Sequence, residues 1–191
     1  MGTSRNDPSP PIPPWKPALA VLGRTDVPVE RQSLEIWRAV AADRGERLVR
    51  DLANPTLAEA CSLVSKGRPI GEALAAYDEA TLHLSDVGLA VDLGRRALAR
   101  AASKHSGASG FSGELFAEAV SYYASRDLPS FVAAPGRVAN SSAAIALKEE
   151  LRNIARQAAL SVGEPRPDRR GWNRHVANVL TALQGRGTPP R

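Results

Sequence analysis

The chain has 191 residues, of which 43% are hydrophobic but only 5% aromatic, so its core is expected to be thin and closely packed around alanine. A single cysteine, Cys61, excludes an internal disulfide and a cysteine-based metal cluster. The net charge of +5 comes mostly from arginine and is concentrated at the end of the chain. From Glu164 onward six arginines face only Glu164 and Asp168, a local net charge of +4 that suits an acidic partner or a phosphate backbone.

Residues 1–29 hold seven of the fifteen prolines. Proline removes backbone donors and drives its neighbours towards extended conformations. This stretch is therefore expected to be a disordered, polyproline-like arm without helix. Trp15 is its one aromatic side chain and a candidate partner-binding residue. No apolar run has signal-peptide or membrane-spanning character, which predicts a cytoplasmic protein without a membrane partner.

From residue 30 the pattern is helical throughout. Leu34, Trp37, Ala41, Leu48 and Leu52 share a face of a first helix that Gly45 weakens. Asn54-Pro55 reads as a cap and first helical position for a short helix carrying Leu57, Cys61 and Val64. A third helix follows over 70–84. A fourth runs to about 104, with Val91, Gly94, Leu98 and Ala101 on one face and Arg95, Arg96 and Arg100 on the other. The glycine- and serine-rich stretch 105–113 reads as a loop. Ser112 is placed to cap a fifth helix, with Phe111 and Phe116 at hydrophobic-staple spacing.

Residues 127–137 are apolar but interrupted by Pro129, Pro135 and Gly136. They read as a packed loop with Phe131 as a candidate partner-binding residue. A sixth helix over about 141–160 carries Leu147, Leu151 and Ile154 on its apolar face. Lys148, Glu149, Arg152 and Arg156 lie on its polar face, with Glu149 and Arg152 able to pair. Prolines 165 and 167 set off a last helix, about 168–183. Its stripe of Trp172, Val176, Val179 and Leu183 is expected to dock on a partner or a second copy.

The expectation is an all-α protein of six or seven helices, packed as hairpins or an irregular bundle. Its parts are an arm (1–29), a helical domain (30–163), a basic amphipathic helix (164–185) and a loose tail (186–191). No phosphate loop, dinucleotide fingerprint, zinc helix or nucleophile elbow is present, so neither a metal nor another cofactor is expected. The leading expectation is a non-enzymatic adaptor or accessory protein, of the kind found in multi-gene bacterial systems, acting through protein–protein contact or self-association. Nucleic-acid binding through Arg166, Arg169, Arg170 and Arg174 is an alternative.

The segment Arg170-Gly-Trp-Asn-Arg-His175 has an Arg-x4-His form at the start of a late helix, and the same spacing recurs at Arg100–His105. This form resembles the signature of the HEPN family, small all-helical ribonucleases that cleave RNA without metal. The resemblance covers six residues and a helical setting. It implies catalytic roles for Arg170 and His175, with His175 moving a proton and Arg170 steadying phosphate charge.

Overall fold

A computed structural model describes residues 16–66, 68–82, 88–103, 107–127 and 141–185, and these form helices and turns with no strand. Eight helices occur among the described residues, more than the six or seven expected: α1 (Lys16–Val21), α2 (Val29–Leu52), α3 (Pro55–Ser65), α4 (Ile70–Thr81), α5 (Leu89–Ser103), α6 (Ala108–Asp127), α7 (Ser141–Val162) and α8 (Arg169–Gly185). Trp15, Phe131, His83 and His105 lie outside the described residues.

The extra helix is α1, inside the stretch expected to be a helix-free arm. Pro17 falls in its first turn, where the missing donor costs nothing. Ala18 and Leu22 are buried against α2 and join the core. The turn that follows is fastened by one side chain. The Gln32 amide accepts from Gly23 N at 2.9 Å and donates to Arg24 O and Val27 O at 3.0 and 2.8 Å. Gly23 has φ +75°, a left-handed conformation that glycine adopts without a Cβ penalty. A distant glutamine thus overrides the local proline signal.

Capping largely follows the sequence. Asn54 Oδ1 accepts from Thr56 N at 2.9 Å, with Pro55 as the first residue of α3. Asp168 Oδ1 accepts from Gly171 N at 2.8 Å and closes the start of α8. Gly163, φ +87°, ends α7. The start of α6 differs from expectation. The helix begins at Ala108, so Ser112 lies within it rather than at its cap, and Phe111 and Phe116 are both core residues instead of a staple.

Helices α6 and α7 run antiparallel and make the most extensive helix pair. Helix α5 packs beside α6 and α4 beside α5, while α2 crosses α7 and α8, and α3 touches α4, α5, α6 and α8. Two fully buried tryptophans fasten this arrangement through their ring N–H groups. Trp37 Nε1 donates to Leu151 O at 3.2 Å, and Trp172 Nε1 donates to Leu52 O, the last carbonyl of α2, at 2.8 Å. Burying an indole together with its donor is favourable only when that donor is satisfied.

Helices α4 and α5 meet at Gly94. A Cβ there would overlap the Tyr77 hydroxyl and lie 2.8 Å from Leu57 Cδ2. At Gly45, also inside a helix, an added Cβ meets nothing within 4 Å. Gly45→Ala is expected to stabilise by about 0.5–1 kcal/mol through helix propensity. Gly94→Ala is expected to destabilise by about 1–3 kcal/mol, because overpacking exceeds the propensity gain. Urea unfolding of the two variants checks the opposite signs.

Helix α8 belongs to the same core as the rest of the chain. Trp172, Val176, Val179 and Leu183 are buried by α2, α3 and α7. This corrects the expectation of a separate docking helix. Its apolar stripe is occupied by the protein's own body, because that body otherwise leaves the same area of α2 and α7 uncovered. The small residues Ala90, Gly94 and Ala97 of α5 are likewise used internally.

Candidate functional site

His175 lies inside the core, 4% exposed, at the junction of α6 and α8. Its Nε2 shares a hydrogen bond of 2.6 Å with Ser112 Oγ. Its ring lies against Trp172, centroids 5.8 Å apart, and Trp172 in turn contacts Phe111. Burial lowers the imidazole pKa to about 4 from its ordinary value of 6.5, so at neutral pH it is uncharged. A serine bonded to a histidine is nucleophile chemistry in outline. Here both groups are buried, and they serve as a polar cross-link between two helices.

Arg170 is exposed, on the opposite side of α8 from His175. The structure does not bring the two to one surface. Within this chain the nitrogen that would move a proton is already held by Ser112. The physical reason is helical geometry: five residues advance about 500°, which turns His175 well away from Arg170 towards the stripe of Trp172 and Val179.

A dense charge cluster among the described residues was not recognised in the sequence. Arg152 and Arg156 of α7 face Glu114 and Glu118 of α6 as a two-rung ladder. Arg152 Nη2 meets Glu118 Oε1 at 2.7 Å, and Arg156 Nε meets Glu114 Oε1 at 3.0 Å. Arg152 Nη1 also donates to Ser121 Oγ at 2.8 Å, and Arg100 reaches Glu118 from α5. Arg152, Glu114 and Glu118 are all less than 6% exposed. The expected surface pair of Glu149 with Arg152 is only a weak contact at 4.0 Å, on the one guanidinium nitrogen, Nε, that lacks a hydrogen bond among the described residues. The signal was present in the matched spacing of Glu114/Glu118 and Arg152/Arg156, four residues apart on each helix. Spacing within a helix does not reveal which helices meet.

Cys61 is buried, and burial pushes its thiol pKa up to about 11, which makes it an unreactive small hydrophobe as its place on the α3 stripe suggests. No cluster of three or more His, Cys, Asp or Glu residues suited to a metal ion occurs among the described residues. No helix there is long and apolar enough to cross a membrane.

Two surface features stand out. One is an apolar groove of about 190 Å³ between the α1–α2 turn and the start of α7, lined by Leu22, Val27, Val29, Gln32 and Leu147 among others. Val29, at its edge, is 42% exposed. The other is the arginine face of α8, where Arg166, Arg169, Arg170 and Arg174 are all exposed. Comparison with protein-family models, curated proteins and solved structures finds no match to this chain.

Proposed function

We propose that this protein acts by binding, as a helical adaptor whose docking surface is the groove between the α1–α2 turn and α7. The groove itself carries this reading: it is apolar, it opens at an exposed Val29, and its wall is held in shape by the three hydrogen bonds of Gln32. A pre-formed apolar recess accepts side chains of a partner without first having to order itself. The occupant in this reading is an apolar segment of another protein. Among the described residues, the buried groups His175, Ser112, Cys61 and the two core glutamates are committed to internal packing and pairing.

A photo-crosslinker at Thr25, which lines the groove, tests the proposal in the native cell, with a control at Asn178 on α8. The expected result is a discrete protein adduct at position 25 that disappears when Val29→Asp is added. Aspartate is well tolerated in the first turn of a helix, so that variant is expected to remain folded. Identical adducts at both positions, or adducts made only of two copies of this chain, would overturn the reading.

A further inference from the structure

Helix α8 breaks a local electrostatic rule. Arg169 and Arg170 stand in its first turn, where the aligned peptide dipoles leave partial positive charge and cations are disfavoured, and Arg174 follows in the second. No acidic residue occupies its first turn, nor any other position over Arg169–Gly185. Arg166 is held beside them. The 166–168 turn folds back so closely over Gly171 that a Cβ there would overlap Arg166 Cβ and stand 3.2 Å from Arg166 O. Among the described residues none of these four arginines is within ion-pairing distance of a carboxylate, whereas Arg95, Arg100, Arg152 and Arg156 all are. Local choices that oppose the helix and gain nothing inside the protein are a mark of function.

The surroundings narrow the partner. The helix end is closed, since Asp168 takes the Gly171 N–H, so the attraction resides in the guanidinium groups and not in bare backbone donors. The rest of the exposed face is Asn173, Ala177, Asn178, Thr181 and Gln184, polar groups and one alanine. The aromatic residue, Trp172, is turned inward. A protein-binding face would present an apolar or aromatic centre. A base-stacking face would present exposed aromatics. A polar face with unpaired arginines instead matches phosphodiester oxygens, which the planar guanidinium fork engages with two hydrogen bonds.

We infer that the arginine face of α8 binds the sugar–phosphate backbone of nucleic acid without sequence preference. This surface is independent of the groove. The test is fluorescence anisotropy of the full chain on a labelled duplex, a labelled single strand and a labelled poly-glutamate peptide. If the four arginines each neutralise one phosphate, duplex affinity falls about a hundredfold between roughly 50 and 200 mM salt. Arg170→Gln/Arg174→Gln lowers the log–log salt slope by about two, with unchanged helical circular dichroism. Val29→Asp leaves the slope as it was, which separates this inference from the groove. Equal strength on duplexes of unrelated sequence supports the proposal. No binding at low salt, a slope unaltered in the double variant, or poly-glutamate binding as tightly as nucleic acid would overturn it.

Discussion

Replacing Arg152 by alanine is expected to cost up to about 3–5 kcal/mol, because it takes away the buried partner of Glu118 and leaves that carboxylate only the half-exposed Arg100. The magnitude follows from burial and not from the number of ion pairs. In water the same pair would contribute little, and Arg96, exposed and 4.0 Å from Asp92, supplies the comparison. Arg96→Ala is expected to shift stability by less than about 0.5 kcal/mol. A second comparison isolates the cause. Replacing Arg152 with methionine together with leucine at Glu114 and Glu118 removes the buried charges as a set. Arg100 and Arg156 can then turn to solvent, so most of the lost stability is expected to return. Urea midpoints of the single and triple variants give the result directly. If the triple variant were less stable than Arg152→Ala, the ladder would be contributing net stability.

Acidification is expected to weaken the fold through His175 well before the carboxylates titrate fully. The imidazole pKa is lowered in the folded protein, to about 4, and returns to about 6.5 on unfolding. Between those values the unfolded chain takes up a proton that the folded chain does not. Stability therefore falls as pH drops through 6.5 and levels off near 4. The loss attributable to this one group is about 2 kcal/mol between pH 7 and pH 5, with a ceiling near 3 kcal/mol. His175→Gln keeps a polar group opposite Ser112 and cannot titrate. The difference between the pH–stability curves of the two proteins isolates the histidine from every other group. Parallel curves would show that folding does not shift the His175 pKa and would overturn this prediction. The Trp172 ring lies against the histidine, so the part of the fluorescence change that is lost in Trp172→Phe reports whether α8 loosens first.

The all-α class and most helix limits were legible in the chain because they depend on neighbours a few residues apart. Asn54-Pro55 capped α3 as expected, Asp168 and Gly163 sit at the helix ends, and the α2 face bearing Trp37, Leu48 and Leu52 is the buried one. What the sequence left undecided was the fate of each polar face and of each unattached segment. Arg152 and Arg156 look alike whether they meet water or the glutamates of a helix more than thirty residues away. Ser112 reads as a cap until α8 brings His175 to it from 63 residues on, and the proline-rich start reads as an open arm until Gln32 fastens its turn. Periodicity is a property of one helix and is written in its own residues. Whether a polar stripe is surface or core, and whether an apolar stripe waits for a partner or is already covered, depends on which helices pack together. Tertiary structure alone decided that the histidine and the Glu–Arg ladder went inside while the arginines of α8 stayed out.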